Sequence, residues 1–235
     1  VVSRMSTQGW IGVDLDGTLA EYDARRGIEH IGRVVQPMLN RVRSWLDAGI
    51  TVKIFTARAT DATLISLVKP WLRDNNLPDL EVTNCKDTQL LQIWDDRAIQ
   101  VEINTGHILT PRQYLQLVPN GWVGMDFDGT LAQCTTPQSL LALGKPVDAM
   151  LNRVKQWQMV DVDVRLFTAR AGDPAQEAMI AEWLQDHGLQ PMRITHKKDF
   201  QMAQFFDCRA VHVIHNVGET CSQESTLPTD WLFCQ

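Results

Sequence analysis

Apolar positions along the chain fall into short runs separated by segments with helical spacing. Trp10–Asp14 begins with an apolar run that ends at a turn, which indicates a buried strand, and Thr51–Phe55 is β-branched and aromatic, which indicates a second. Between them, residues 36–48 carry apolar residues at helical spacing, and Gly49 is typical of a helix end. Strands separated by helices of this length predict parallel βαβ units with right-handed crossovers.

The alternation continues with a further helix and three further strands. The pattern predicts the helix over Leu64–Leu72 and the strands over Leu80–Thr83, Leu91–Trp94 and Ile99–Ile103. Polar residues that can carry chemistry follow the strands, namely Asp14, Asp16, Thr56, Asp95 and Asp96. Because open parallel sheets bind ligands beyond the carboxyl ends of their strands, we expect these side chains to share one site.

The whole pattern then repeats at an offset of 112 residues, which relates Asp14 to Asp126. Gly9–Ala20 (GWIGVDLDGTLA) returns as Gly121–Ala132 (GWVGMDFDGTLA). The same offset relates further blocks without net insertion, among them Met38–Val42 and Met150–Val154, Phe55–Ala59 and Phe167–Ala171, Lys86-Asp87 and Lys198-Asp199, and Asn104 and Asn216. A period this long predicts tandem domains rather than a solenoid, whose repeats span about 20–50 residues. We expect one domain at 1–110, a linker at 111–120, a second domain at 121–219 and a C-terminal tail at 220–235.

Composition and charge narrow the class of protein. The chain has 235 residues, enough for one large or two small domains, and 44% of them are hydrophobic, as in ordinary globular proteins. No apolar run approaches a membrane span and the N-terminus lacks the apolar core of a signal peptide. The five cysteines form no CxxC pair, which favours reduced thiols and a cytoplasmic location. A net charge of −6 argues against a general nucleic-acid coat and leaves a local anion site open.

The residues at the strand ends of the first copy suit phosphoryl chemistry. An aspartate can attack phosphorus to form an aspartyl-phosphate, and a second aspartate two residues later can protonate the departing oxygen and then activate water. A hydroxyl donor, a lysine and Mg²⁺ are natural stabilisers of the negative charge in the transition state. Thr56 and Lys86 fit the first two, and Asp14 with Asp95 and Asp96 fits a site of hard oxygen ligands for Mg²⁺.

These motifs resemble those of the haloacid dehalogenase superfamily of phosphotransferases, and the resemblance covers nearly all of each copy. Asp14-Leu15-Asp16-Gly17-Thr18 is similar to its first motif, and Thr56, Lys86 and Asp95-Asp96 are similar to its second, third and fourth. The resemblance implies two tandem Rossmann-like domains with Asp14 as nucleophile, Asp16 as acid and base, and a magnesium cofactor. An aspartate two places after the nucleophile marks phosphatases and phosphomutases in that family. The metal site that it implies involves Asp14, Asp16, Asp95 and Asp96 in the first copy and Asp126, Asp128 and Asp207 in the second.

The second copy keeps most of these residues and departs at one. Asp126, Asp128, Thr168, Lys198 and Asp207 match their counterparts, and Lys197 is a neighbour that can supply the same charge as Lys198, although the offset favours Lys198. The residue that corresponds to Asp96 is Cys208, a soft ligand that Mg²⁺ does not favour. Two interpretations stay open: a weakened phosphatase site, or a catalytically lapsed site that binds a phosphorylated ligand or has a regulatory role.

The spacing of the motifs bears on the substrate. Residues 17–55 and 57–85 are each filled by predicted strands and helices and leave no room for the cap domain that many members of the family carry. We therefore expect an open site suited to nucleotides, nucleic-acid ends or other macromolecular phosphates, with the two copies covering each other. Trp94-Asp95-Asp96-Arg97 followed by Gln100 is similar to the phosphatase half of polynucleotide kinase-phosphatases, which act on nucleic-acid 3′-phosphates.

Arginines near the predicted sites have two interpretations each. Arg58 and Arg170, two residues after the motif threonines, orient the substrate phosphate or cap the edge of the sheet. A cluster of five arginines grips a polyanion at the rim of the site or forms a solvated face; its members are Arg25, Arg26, Arg33, Arg41 and Arg43.

Overall fold

The computed structural model of the chain describes residues 9–112, 121–134 and 142–221, so most of the predicted linker and tail lies outside the described residues. It is an α/β structure with two sheets of parallel strands flanked by helices, as the alternating pattern predicted. The strands are β1 (Trp10–Val13), β2 (Thr51–Phe55), β3 (Val82–Thr83), β4 (Leu90–Asp95), β5 (Ala98–Gln100), β6 (Trp122–Met125), β7 (Val164–Phe167), β8 (Ile194–Thr195), β9 (Met202–Asp207) and β10 (Ala210–His212). The α-helices are α1 (Gln36–Asp47), α2 (Ala62–Asp74), α3 (Asp148–Met159) and α4 (Pro174–Asp186).

The central strand of each sheet is the one that ends at the repeated aspartate motif. In the first sheet β1 pairs in parallel with β2 and β4, and β2 pairs in parallel with β3. In the second sheet β6 pairs in the same way with β7 and β9, and β7 with β8. All four residues of β1 are buried, because a central strand covered on both faces excludes water from both. The carboxyl ends of three neighbouring strands therefore meet at Asp14 in one sheet and at Asp126 in the other.

The two repeats exchange their last strands. The first sheet has the order β10-β4-β1-β2-β3 and the second has the order β5-β9-β6-β7-β8. The strand predicted at Ile99–Ile103 is shorter than expected and completes the second sheet rather than the first. Reciprocally, β10 is the last strand of the second repeat in the sequence and completes the first sheet.

The compact units follow this exchange and not the boundaries predicted from the sequence. Among the described residues, unit 1 contains residues 9–98, Lys198–Phe200 and Val211–Cys221, and unit 2 contains residues 99–112, 121–134, 142–197 and Gln201–Ala210. The predicted division at 1–110 and 121–219 assumed that each repeat folds only with itself. The structure instead places two short pieces of the second repeat in unit 1.

Helices and aromatic side chains complete a core in each unit. The helices predicted over residues 36–48 and over Leu64–Leu72 are confirmed as α1 and α2. Trp45 on α1 meets Trp94 on β4 edge to face, with ring centroids 4.9 Å apart, and this packing seats the helix beside the strand that ends at Asp95. Aromatic pairs of this kind add about 0.5–1.5 kcal/mol beyond the area that they bury. In the described parts of the chain, no helix is long and apolar enough to cross a lipid bilayer.

Candidate functional site

The acidic residues of the first repeat come together at the carboxyl end of the first sheet. Asp14 follows β1, Asp95 is the last residue of β4 and Asp96 follows it in the turn. Asp14 and Asp95 are buried, with 4% and 0% of their surface exposed. The three carboxylates each have an oxygen within 4.8 Å of the others, close enough to hold one cation. The sequence predicted that these three side chains share one site, and the structure brings them together; that they bind a metal ion stays a prediction.

The positively charged side chain that contacts this cluster is Lys198 of the second repeat. The Nζ atom of Lys198 donates to Asp14 Oδ1 at 2.7 Å and to Asp95 Oδ2 at 2.5 Å. Lys198 is placed there by two hydrogen bonds with Asn84: the Lys198 N–H donates to the Asn84 carbonyl, and the Asn84 side chain donates to the Lys198 carbonyl. The sequence assigned Lys86 to Asp14 and Lys198 to the second repeat, and the structure corrects this assignment. The reason is the exchange, because Lys198–Phe200 belongs to unit 1.

Lys86 itself is buried, with 3% of its surface exposed. Burial has the largest effect on the pKa of Asp14, followed by the charge of Lys198 and then by those of Asp95, Asp96 and Asp16. Lys86 is therefore a buried lysine whose sequence-predicted role at Asp14 is taken by Lys198.

Burial and charge act in opposite directions on this pair. Burial raises the pKa of Asp14 and the positive charge of Lys198 opposes that rise, so the net pKa stays above its ordinary range. Burial alone would lower the pKa of Lys198, but the charges of Asp14 and Asp95 raise it further than burial lowers it. Lys198 consequently stays protonated at neutral pH. Any further positive charge in the cluster favours the ionised form of Asp14, which is the form that can act as a nucleophile.

Asp96 has one oxygen bound and one oxygen without a partner. Its Oδ2 atom lies 2.6 Å from Nδ1 of His215, a residue of the second repeat that belongs to unit 1. Its Oδ1 atom is buried and has no hydrogen-bond partner, and the Asp96 side chain as a whole is only 9% exposed. An unsatisfied buried acceptor costs about 1–3 kcal/mol, and a bound cation would remove that cost. Three carboxylate oxygens fit a hard divalent cation such as Mg²⁺.

Asp16, which the sequence also counted as a metal ligand, lies outside this cluster. Arg58 binds it with both sides of its guanidinium group, Nε to Oδ2 at 2.7 Å and Nη2 to Oδ1 at 2.7 Å. Arg58 also donates to the carbonyl groups of Ile28 and His30 in the loop that follows the first motif. Only 1% of Arg58 is exposed, so its guanidinium positions Asp16 and this loop and is not presented to solvent for a substrate phosphate.

The two motif hydroxyls are buried beside the carboxylates. Thr56 follows β2, is 1% exposed, and accepts a hydrogen bond from the Arg58 backbone N–H at 3.2 Å, so its own hydroxyl proton stays available to donate. Thr18 accepts a hydrogen bond from the Asp96 backbone N–H at 3.1 Å, which holds the turn after β4 against the first motif. The sharp turn within the first motif, between Asp16 and Thr18, uses Gly17, whose φ of +91° favours glycine.

Unit 2 carries the matching arrangement with a different metal-ligand set. Asp126 follows β6, Asp207 ends β9, and they form a cluster with Cys208 in which the ligand atoms lie within 4.8 Å of one another. All three are buried, and Thr130 donates to Asp126 Oδ2 at 3.3 Å. Thr168 follows β7, is 1% exposed, and accepts the Arg170 backbone N–H just as Thr56 accepts that of Arg58. Two carboxylates and a thiol fit Mg²⁺ less well than three carboxylates do.

The second aspartate of unit 2 is also bound to arginine. Arg170 donates from Nε to Asp128 Oδ2 at 2.7 Å and from Nη2 to Asp128 Oδ1 at 2.8 Å. Asp128 therefore lies outside the cluster of Asp126, Asp207 and Cys208, as Asp16 lies outside the first cluster. The repeated arginine is a partner of the repeated aspartate in both units, an arrangement that neither sequence-based interpretation of Arg58 and Arg170 anticipated.

The arginine cluster of the first repeat is divided. Arg25, Arg26 and Arg33 are exposed in or near the loop after the first motif. Arg41 stacks over the ring of Trp94, 4.8 Å from its centroid, and Arg43 donates to the Asn75 carbonyl at 2.8 Å. The last two serve the packing of α1, and Arg25 donates to both carboxylate oxygens of Asp23 at 2.9 Å, so the exposed Arg26 and Arg33 are the members left for a polyanion.

Sequence reasoning missed His215, which belongs to no motif of the resemblance. The available signal was the offset of 112 residues: His215 precedes the repeated Asn216, and the residue at the matching position before Asn104 is Ile103. Each asparagine adopts a positive φ, 62° at Asn104 and 59° at Asn216. Asn216 donates its backbone N–H to the Gly17 carbonyl at 2.7 Å and binds both backbone polar groups of Tyr22 with its side chain. The segment that carries His215 is therefore attached directly to the first motif.

Comparisons with known proteins return nothing at a significant level: no family model, no curated protein and no solved structure matches the chain.

Proposed function

We propose that the chain is a Mg²⁺-dependent phosphomonoester hydrolase that acts through an aspartyl-phosphate on Asp14, as its resemblance to the haloacid dehalogenase superfamily implies. The observation that supports it most is the contact of Lys198 Nζ with both Asp14 and Asp95 at the carboxyl end of the first sheet. A buried carboxylate that is held by a lysine, beside further carboxylates and a buried hydroxyl, meets the needs of phosphoryl transfer. Unit 1 is the active unit.

In the first step Asp14 attacks phosphorus, an Asp14–phosphorus bond forms, and the bond from phosphorus to the leaving oxygen breaks. Lys198 holds Asp14 Oδ1, which leaves the second oxygen of Asp14 for the attack. The Thr56 hydroxyl donates to a phosphoryl oxygen, and Lys198 spreads positive charge over the same group. Mg²⁺ bound by Asp14, Asp95 and Asp96 would supply further positive charge to the phosphoryl oxygens.

Asp16 transfers the proton in both steps. It protonates the leaving oxygen in the first step. In the second step it takes a proton from the attacking water, whose oxygen binds phosphorus while the Asp14–phosphorus bond breaks, so phosphate is released and Asp14 and Asp16 return to their starting forms. Both Asp16 oxygens accept hydrogen bonds from Arg58, which fixes the position of the carboxyl group. One of these bonds has to break before that oxygen can bind a proton, so Arg58 positions Asp16 for the transfer.

The substrate class follows from what surrounds the site. The segments that lead from Asp16 to Thr56 and from Thr56 to Lys86 contain α1, α2, two strands, two 3-10 helices and the loops that connect them, and no further domain. The exposed side chains of Arg25, Arg26 and Arg33 lie in or next to the loop that Arg58 binds. A site without a cap domain and with exposed arginines nearby favours a nucleotide, a nucleic-acid end or another macromolecular phosphate over a small sugar phosphate.

A second function is favoured for unit 2 by one observation. Cys208 takes the place of the third carboxylate, and its Sγ atom lies 3.5 Å from the Asp128 carbonyl. We propose that unit 2 retains the fold of a phosphate-binding site and does not hydrolyse phosphate esters. It then binds a phosphorylated ligand, or the second repeat serves only to supply Lys198 and β10 to the first sheet and its site.

The repeat provides a matched experiment. Asp14→Asn and Asp126→Asn make the same change at equivalent positions of the two units, and phosphate release is measured with Mg²⁺ on an aryl phosphate, nucleotides, 3′- and 5′-phosphorylated oligonucleotides, sugar phosphates and phosphopeptides. We expect Asp14→Asn to lower turnover by at least about 1000-fold, because it removes the nucleophile. We expect Asp126→Asn to keep most of the activity. Undiminished turnover by Asp14→Asn contradicts the proposal, and loss of turnover in Asp126→Asn alone reverses the assignment of the active unit.

A further inference from the structure

His215 contacts one oxygen of the Asp96 carboxylate, and the other oxygen has no hydrogen-bond partner. Nδ1 of His215 lies 2.6 Å from Oδ2 of Asp96, and the side chain of His215 is 43% exposed while that of Asp96 is 9% exposed. Because Oδ2 is occupied by the histidine, the buried and unpartnered Oδ1 is the oxygen that Asp96 can offer to a cation shared with Asp14 and Asp95.

The backbone around His215 fixes its position. The N–H groups of Val213 and Asn216 donate to the carbonyls of Asp95 and Gly17, at 3.1 Å and 2.7 Å. A Cβ atom at Gly17 would lie 2.5 Å from Nδ1 of His215 and 2.7 Å from Oδ2 of Asp96, so the absence of a side chain at residue 17 is needed for this close approach. The contact is therefore part of the packed first motif and not a loose pairing at the surface.

Unit 2 lacks both members of the pair at once. The residues that correspond to His215 and Asp96 are Ile103 and Cys208, and they occupy the equivalent place: a Cβ atom at Gly129 would lie 2.9 Å from Cys208 Sγ and 2.9 Å from Ile103 Cγ1. Each pair joins one residue from each repeat, since Ile103 precedes Asn104 in the first repeat and His215 precedes Asn216 in the second. A polar pair in one unit and an apolar pair in the other indicate that the two positions serve a single purpose.

We propose that His215 is a positioning residue that holds Asp96 so that its Oδ1 atom completes the cation site of unit 1. This inference rests on the metal site of the proposed function and goes beyond it, because it assigns a role to a residue outside every motif of the resemblance. Partners that orient a metal ligand through a hydrogen bond typically change metal affinity by about 10–100-fold when they are removed.

The test measures Mn²⁺ binding by electron paramagnetic resonance, which requires no turnover. We expect His215→Ile, which introduces the residue of the other unit, to weaken Mn²⁺ binding by about 10–100-fold. His215→Asn retains an N–H donor close to the position of Nδ1, and we expect it to bind Mn²⁺ nearly as tightly as the unchanged protein. Ile103→His is the matched control in unit 2, where Cys208 takes the place of Asp96 beside residue 103, and we expect it to leave Mn²⁺ binding unchanged.

A gain of binding is the complementary measurement. We expect the double variant Ile103→His with Cys208→Asp to bind a second Mn²⁺ ion, and to bind it more tightly than Cys208→Asp alone. Tight Mn²⁺ binding by His215→Ile would overturn the positioning role, and so would a second site that is equally tight with and without Ile103→His.

Asp96→Asn separates this inference from the proposed function. If Asp96→Asn loses Mn²⁺ binding and His215→Ile keeps it, the metal site stands and only the role of His215 is wrong. If Asp96→Asn binds Mn²⁺ as before, or the unchanged protein does not bind Mn²⁺, Asp96 is not a ligand and the metal site itself is wrong. A lower melting temperature of His215→Ile with unchanged Mn²⁺ affinity would show a purely structural contact and would also overturn the proposal.

Discussion

Removal of the Lys198 ammonium group tests the exchange between the repeats through stability alone. Lys198 is 2% exposed and its Nζ atom lies 2.7 Å from Asp14 and 2.5 Å from Asp95. Lys198→Met keeps most of the side-chain volume, so the loss is mainly that of the charge. Removing one partner of a buried ion pair destabilises a protein by about 3–5 kcal/mol, because a buried charge is left without compensation. Asp14 can take up a proton once the lysine is gone, so we expect about 3 kcal/mol, at the lower end of that range.

The assay is a double-mutant cycle read by urea unfolding at pH 7. At this pH Lys198 is charged, because its pKa is raised above the ordinary value of lysine. The stabilisation that results is fully present below the ordinary pKa of lysine and is lost only as the pH rises through the pKa of the folded state. Asp14→Asn, Lys198→Met and the double variant are compared, and residues in direct contact show coupling energies of about 0.5–3 kcal/mol. We expect about 2 kcal/mol for this pair.

Lys86→Met provides the matched control, since it changes the lysine that the repeat assigns to Asp14. We expect its coupling to Asp14→Asn to stay within about 0.5 kcal/mol, as for residues that do not share an interaction. A large coupling for Lys86, or none for Lys198, would refute the placement of Lys198 in the first unit. An unchanged dependence of the free energy on urea concentration in all variants is needed for the comparison.

Two further substitutions test how the site is held. Arg58→Lys replaces the two-sided contact with Asp16 by a single ammonium group. We expect kcat to fall by about 100-fold, with a smaller change in KM, because Asp16 is no longer positioned. Equal kinetics of Arg58→Lys and the unchanged protein would contradict this. Its counterpart Arg170→Lys in unit 2 is the control and should leave turnover unchanged. Asn216→Ala removes the side-chain hydrogen bonds with the Tyr22 N–H at 2.7 Å and the Tyr22 carbonyl at 3.0 Å. We expect thermal unfolding to show that the free energy of unfolding falls by about 2 kcal/mol. A decrease below about 0.5 kcal/mol would contradict a structural role for this contact.

The elements that sequence predicts well are those whose signal is local. The apolar run of Trp10–Val13, the helical spacing of α1 and the polar residues that follow β1, β2 and β4 are all readable over a few neighbouring positions, and the structure has them where they were expected. The cluster of Asp14, Asp95 and Asp96 follows from the same logic, because parallel strands end at the same edge of a sheet.

The exchange between the repeats could not be predicted, and its reason is physical. The segments that form β5 and β10 are both short apolar strands that follow a repeated Arg-Ala step, and either one has the pattern that the edge of either sheet requires. Lys86 and Lys198 are likewise equivalent in sequence and both are buried. The sequence therefore predicts that each sheet ends in such a strand and that each site contains such a lysine. Only the three-dimensional path of the chain determines which repeat supplies them.

His215 illustrates a second limit. A lone histidine beside an asparagine carries no motif, and its partner Asp96 lies in the other repeat. The same positions in unit 2 hold Ile103 and Cys208 around Gly129, so both members of the pair differ together between the units. In a duplicated chain, positions that differ between the copies are informative in pairs once the structure shows which residues meet.

The central claim, a covalent step on Asp14, is tested most directly by trapping the intermediate. Asp16→Asn removes the group that activates water, and an aryl phosphate supplies a leaving group that needs no proton, so the first step proceeds and the second is slow. After acid quenching, peptide mass spectrometry should find one phosphoryl group per chain on the peptide that contains Asp14, and hydroxylamine should release it, as expected of an acyl phosphate. Leaving-group release without any phosphoryl group on that peptide, or a phosphoryl group that resists hydroxylamine, would contradict the proposed function.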